Sequence, residues 1–171
     1  ARRLPRALRS ALSQNVVENG QAIVVLLDDQ STDNWRESCG KLLEHPRVLV
    51  IEGVCGSASR ARNALLDFVD QHLPNARWVA RLDADDTLAS NASVAALCCK
   101  GDESAVLYVL GSNHLSVDGE LLEHSNVADP AVLLDRQQLL QFIEAFCLKD
   151  APQELPSCNL VLRCHSVIRY P

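Results

Sequence analysis

Trp78-Val79-Ala80-Arg81-Leu82-Asp83-Ala84-Asp85-Asp86 is an apolar run that ends in three carboxylates within four positions. The run predicts a buried strand, which puts the acids at its carboxyl end. In open α/β sheets, ligands bind at that edge. Carboxylates crowded together repel one another unless a cation neutralises them. Hard oxygen donors of this kind suit Mg²⁺ or Mn²⁺ carrying a phosphate group. A second apolar run, Ala22 to Leu27, is rich in β-branched residues and stops at Asp28-Asp29. If the two strands are parallel, both sets of acids fall on one edge of the sheet and form two walls of one site. A lone strand-end Asp more often caps the next helix, as Asp33 is placed to do. Two clusters in register argue for a site.

Outward from these runs, strand and helix patterns alternate over the first 110 residues. Leu4, Leu8, Ala11 and Leu12 recur at helical spacing, and Pro5 is tolerated in a first turn. Asn19-Gly20 breaks that pattern. Ser31-Thr32-Asp33 offers turn and cap chemistry for a helix to about Leu43, closed by His45-Pro46. Val48 to Ile51 predicts a second strand. Gly53 and Gly56 flank a loop, after which Ser57 or Ser59 caps a helix with Ala61, Ala64, Leu65, Phe68 and Val69 on one face. Leu73-Pro74-Asn75 ends it. Further on, the pattern predicts a helix from Ser90 or Asn91 to about Cys99 and a strand over Ala105 to Leu110. It then predicts a hairpin around Asp118-Gly119, a helix capped at Asp129-Pro130 and a short strand over Asn159 to Leu162. The alternation implies an α/β fold with a mixed, mostly parallel sheet and helices on both faces. With no repeat, low-complexity tract or linker, residues 1–171 read as one domain.

Composition narrows the function classes. The formal charge is −6 and no basic block is present, which argues against a nucleic-acid partner. Arg2, Arg3, Arg6 and Arg9 read as the polar face of the first helix. No stretch reaches the roughly 18 apolar residues of a membrane span, and the N-terminal arginines lack a signal peptide's apolar core. The seven cysteines are odd in number, include a vicinal Cys98-Cys99 pair and form no CxxC. A reduced, cytoplasmic chain without a zinc site follows. Cys55, Cys98 and Cys99 read as core fillers. His114, His124 and His165 have no partner at ligand spacing.

The order Asp28-Asp29-Gln30-Ser31-Thr32-Asp33, then Ala61-Arg62-Asn63-Ala64, then Leu82-Asp83-Ala84-Asp85-Asp86 resembles the family-two glycosyltransferases. Their usual strings are Asp-Asp-Gly-Ser-Thr-Asp, an Ala-Arg-Asn helix start and Leu-Asp-Ala-Asp-Asp. Each string alone is weak; their order and spacing are specific. The resemblance covers about residues 1 to 111 and returns at Ser157-Cys158-Asn159-Leu160-Val161-Leu162-Arg163. It implies an inverting enzyme with a GT-A fold, a Rossmann-like sheet that binds a nucleotide-diphosphate sugar. It places Asp28 and Asp29 at the nucleobase and Arg62 near the base or phosphates. Asp83-Ala84-Asp85 becomes the DxD element, touching ribose and a bound Mn²⁺ or Mg²⁺. Of the two metal-site residues, Asp85 is the direct ligand and Asp83 lies nearer the ribose. The implied acceptor is a hydroxyl of a glycan, a lipid-linked sugar or a protein, and the implied location is cytoplasmic or peripheral to the inner face of the membrane. Gln30 departs from the family's Gly.

The family's first strand and its C-terminal acidic base motif are not found, so the chain reads as a fragment; the absence of Met fits that reading. No base is assigned, since Glu144 and Asp150 carry no motif. Trp35, just after the acidic turn, is a candidate neighbour of the donor, whereas Trp78 reads as packing. Competing readings are a nucleotidyltransferase, which calls for a Gly-rich phosphate loop, and a non-catalytic nucleotide-sugar-binding or assembly domain. A response-regulator-like domain is disfavoured because Lys149 lies in helical context.

Overall fold

In the computed structural model, β1 (Val24–Asp29) and β2 (Val48–Gly53) pair in parallel, with Val24 opposite Val48 and Asp29 opposite Gly53. The structure describes residues 2–14, 22–89, 107–109, 113–116, 120–124, 135–147, 160–165 and 169–170. The expected breaks at Asn19-Gly20 and Asp118-Gly119, the helix after Ser90 and the Asp129-Pro130 cap lie outside these residues, as do Cys98, Cys99, Lys149 and Asp150. β1 runs past the apolar stretch, so Asp28 and Asp29 are its last two residues rather than the start of a loop.

Residues two apart on a strand share a face. Val24, Leu26 and Val50 therefore turn together toward a core of Leu8, Trp35 and Cys39. Leu8 comes from α1 (Leu4–Leu12), whose first turn holds Pro5, where the missing N–H costs nothing. Trp35 and Cys39 come from α2 (Trp35–Cys39). α2 is shorter than the helix expected to Leu43: Gly40, at φ +50°, ends it, and a 3₁₀ turn over Gly40–Glu44 completes the connection. α3 (Ala58–His72) also contacts β1. Its cap is Ser57, whose hydroxyl accepts the Arg60 N–H at 3.3 Å, and its buried residues are Leu66 and Val69.

The close of β2 is tight. A Cβ on Gly53 would stand 3.1 Å from the Leu27 Cδ1 and 3.3 Å from the Cys55 Sγ. At the close of β1, Gln30 sits at φ +60°. An L side chain pays for that left-handed geometry, and this is the position where the family resemblance calls for Gly. Gln30→Gly is expected to raise stability by up to about 1 kcal/mol, relief of the strain being partly offset by the freer unfolded chain. Urea unfolding checks this; a loss of stability would show that the Gln30 side chain contributes more than its backbone costs.

β3 (Trp78–Ala80) is shorter than the apolar run that announced it. It pairs antiparallel with β7 (Leu160–Arg163), Trp78 opposite Arg163 and Ala80 opposite Val161. Val161 is fully buried, and the Arg163 guanidinium lies 5.3 Å over the Trp78 ring. The sequence predicts a mixed, mostly parallel sheet; among the described residues the parallel β1–β2 pair and the antiparallel β3–β7 pair fall in separate small sheets. The reason is a long-range pairing that local periodicity does not carry.

The chain divides into two compact units, Ala1–Leu107 with Val161–Pro171, and Tyr108–Leu160. β4 (Leu107–Val109) spans the division in sequence. Within the second unit, β5 (Asn113–Leu115) and β6 (Leu121–His124) form the expected antiparallel hairpin. It is closed by the Ser116 N–H donating to the Glu120 carbonyl at 2.8 Å. α4 (Arg136–Cys147) begins after Asp135, whose carboxylate accepts the Gln138 N–H at 2.8 Å. Among the described residues no helix is long and apolar enough to cross a membrane.

Candidate functional site

The end of β1 places Asp28 where its carboxylate is met from several sides. Oδ1 accepts the Ser31 N–H at 2.9 Å, and Oδ2 accepts the Trp35 indole N–H at 3.2 Å. The Arg36 guanidinium lies 3.5 Å from Oδ2, donates to Glu52 Oε1 at 2.7 Å, and covers the Trp35 ring at 4.5 Å. The Ser31 backbone N–H, chiefly, holds the Asp28 carboxyl below its ordinary range, against partial burial. A depressed carboxyl pKa contributes stability above the unfolded value, and that contribution is lost as pH falls through the folded value. Asp28→Asn sets an amide donor against the Trp35 indole donor and removes the charge. It is expected to cost about 1–2 kcal/mol at neutral pH. The two proteins should converge in acid, as pH falls below the ordinary carboxylate range and through the lowered folded-state value. Urea unfolding across pH checks this; a gap that persists unchanged in acid would rule out the ionised carboxylate as its source.

Asp29 turns to the following loop. Its Oδ1 accepts the Cys55 N–H at 2.6 Å, tying β1 to the β2–α3 connection. Burial, then the Asp29 charge, push the Cys55 thiol up. Cys55 forms no disulfide, nor do the buried Cys39 and Cys164.

The acidic loop after β3 is built on α1. The Leu88 N–H donates to the Ser10 hydroxyl at 3.0 Å, and the Gln14 amide donates to the Ala89 carbonyl at 3.1 Å. A turn closes within the loop where the Asp86 N–H meets the Asp83 carbonyl at 3.1 Å. The two aspartates of Asp83-Ala84-Asp85 then part company. Asp83 is held by the Arg81 guanidinium in a two-point fork, Nε to Oδ1 at 2.9 Å and Nη2 to Oδ2 at 2.7 Å. Asp85 stays 63% exposed, with the Arg3 guanidinium 3.6 Å away.

The structure brings Asp28 and Asp85 into one open cleft of about 550 Å³. Arg2, Arg3, Ser31, Asp33 and Trp35 also line it. Asp29, Asp83 and Arg62 are not among its lining residues. Arg62 is half-buried on α3, its guanidinium 5.4 Å over the Tyr170 ring. The neighbouring Asn63 clamps the Tyr170 backbone, donating to its carbonyl at 2.9 Å and accepting its N–H at 2.8 Å. Arg169 adds contacts to Asp67 at 3.1 Å and Asp70 at 2.8 Å. His165 likewise has a structural contact, its N–H reaching the Asp70 carboxylate at 3.0 Å. Sequence reasoning missed Ser10 and Gln14 as supports of the acidic loop; the polar flank of α1 was the available signal. It also read Arg2 and Arg3 as part of the polar face of the first helix, whereas they precede α1 and line the cleft.

Residues 1–120 match the family described as Glycosyl transferase family 2. The chain belongs to that family. No curated protein matches it. Membership in glycosyl transferase family 2 carries a GT-A α/β fold and glycosyl transfer from nucleotide-sugar donors to acceptors. The enzymes of this family commonly use divalent metals, and the donor set here bears on that. Among the described residues no three His, Cys, Asp or Glu side chains gather into a metal-holding group. Mg²⁺-type cations are commonly bound by one or two carboxylates with substrate phosphates and water filling the other positions. An accessible Asp85 on an open cleft fits a cation that arrives with a diphosphate.

Proposed function

We propose that this chain binds a nucleotide-diphosphate sugar in the Asp28–Asp85 cleft and transfers its sugar, with inversion and metal assistance, to an acceptor hydroxyl. The observation that supports this most is the meeting of Asp28, at the end of β1, and Asp85, in the loop after β3, in one cleft. Asp28, already fixed by Ser31 and Trp35, is an ionised acceptor suited to a base N–H. Asp29 orders the loop beside it. Asp83 keeps 37% of its side chain exposed for a ribose hydroxyl while Arg81 fixes its orientation. Arg62 supplies a cation on the α3 side for base or phosphate. Asp85 is the ligand for Mn²⁺ or Mg²⁺, which when bound neutralises charge on the departing diphosphate. Holding these groups in place before the donor arrives lowers the reorganisation needed at transfer. The acceptor is a glycan, lipid-linked or protein hydroxyl, and the setting is cytoplasmic or at the inner membrane face.

Thermal melting with UDP or GDP, with and without Mn²⁺, tests the reading. Ligand at about 100 times its Kd stabilises by about 2.7 kcal/mol. For a chain of this size that corresponds to a rise of about 5–10 °C. The rise should require the metal. No rise with any nucleoside diphosphate at high ligand and metal would overturn the proposal.

A further inference from the structure

We propose that Arg3 is a diphosphate-positioning residue that occupies the cation's place beside Asp85 until metal and donor arrive. This rests on the nucleotide-sugar reading of the cleft. Arg3 and Asp85 stand 3.6 Å apart with 68% and 63% of their side chains exposed. A pair so open to water is weak and exchanges readily. Its geometry does not depend on its own attraction, because α1 and the acidic loop are joined independently through Ser10 and Gln14. Arg36 and Arg81 are engaged at shorter range, on Glu52 at 2.7 Å and on Asp83 at 2.7 Å, and of the two arginines that line the cleft, Arg2 and Arg3, it is Arg3 that meets Asp85. Arg3 is thus the cation placed to change partners.

The exchange follows from charge. A divalent ion docking on Asp85 repels a guanidinium held within 4 Å of the same carboxylate. A diphosphate carrying one divalent ion remains anionic, and the planar fork of Arg matches phosphate oxygens at two points. Arg3 lines the same cleft, so the side chain displaced from Asp85 meets the group that needs it. Arg3 therefore opposes the metal at Asp85 and favours the diphosphate. The two effects have opposite signs in a variant that lacks the charge.

The full chain and its Arg3→Gln variant are titrated with Mn²⁺ and UDP, or with GDP if that nucleotide raises the melting temperature more. Arg3→Gln is expected to weaken nucleotide affinity at saturating Mn²⁺ about tenfold. It is expected to lower the Mn²⁺ concentration giving half the nucleotide-dependent shift about threefold. Arg3→Lys, which keeps the charge without the fork, should fall between the two on affinity. An unchanged affinity, or a Mn²⁺ requirement that holds or rises, overturns the role of Arg3 while leaving the cleft reading intact. If the parent chain shows no metal-dependent nucleotide binding, the cleft reading itself fails, and this inference with it.

Discussion

Asp85→Ala is expected to erase the Mn²⁺-dependent part of the nucleoside-diphosphate thermal shift, about 5–10 °C at saturation. It should leave the ligand-free protein melting within about 2 °C of its parent. The separation of the two effects follows from where Asp85 sits. Its side chain is 63% exposed, and the ion pair recorded for it is the loose contact with Arg3. Surface pairs of that kind contribute at most about 1 kcal/mol, and often nothing measurable. The fold therefore has little at stake in this carboxylate. The metal has much: loss even of an outer-sphere partner weakens metal affinity by about 10–100-fold, and a directly coordinating oxygen matters more. A hundredfold loss of nucleotide affinity leaves about 0.4 kcal/mol of the expected stabilisation of about 2.7 kcal/mol. A shift that survives in the variant, at the same Mn²⁺ concentration, would place the cation elsewhere and remove the central element of the proposed site.

The local half of this architecture was legible in the sequence because it is written in short-range chemistry. Ser57 caps α3, Pro5 opens α1, and the apolar run before Asp28 forms β1, each decided within a few residues. The Asp28 turn was also recognisable. Its anchor was not, because Trp35 stood in the sequence only as a candidate neighbour of the donor. In the structure it is buried among Leu8 and Cys39, and hydrogen-bonded through its indole to Asp28 on the cleft wall.

What the sequence hid was set at long range. The partner of β3 is a segment near residue 162, and nothing in Trp78-Val79-Ala80 specifies an antiparallel neighbour. Asn63 belongs to the Ala-Arg-Asn string that resembles the family, yet both of its amide contacts go to the backbone of Tyr170, 107 positions away. Arg81 carried no role in the sequence reading, being one polar residue in the run that leads to the acids. In the structure it grips Asp83 and leaves Asp85 to the cleft, a division made by a side-chain contact that the string does not spell out.

Arg81→Leu is accordingly expected to destabilise the protein by about 2 kcal/mol, seen as a melting temperature lower by about 4–8 °C. The Arg81 side chain is 10% exposed and grips Asp83 at 2.9 and 2.7 Å. Burial pulls its pKa down, but the Asp83 hydrogen bonds and charge more than offset that, so the net shift is upward. Its guanidinium also lies 5.9 Å from the Tyr170 ring, so one side chain joins the acidic loop to the clamp on α3. Leucine fills part of the space and leaves the carboxylate without its fork. Removing one member of a fully buried pair costs about 3–5 kcal/mol. Asp83 is 37% exposed, and water recovers part of the loss. Arg81→Lys should not restore the parent stability, since a single ammonium cannot make both bonds in the plane of the carboxylate. A double-mutant cycle with Asp83→Asn isolates the pair and should give a coupling of about 1–2 kcal/mol. Additive losses would mean that Arg81 acts through its packing and its contact with Tyr170, and that Asp83 is oriented by the turn at Asp86 alone.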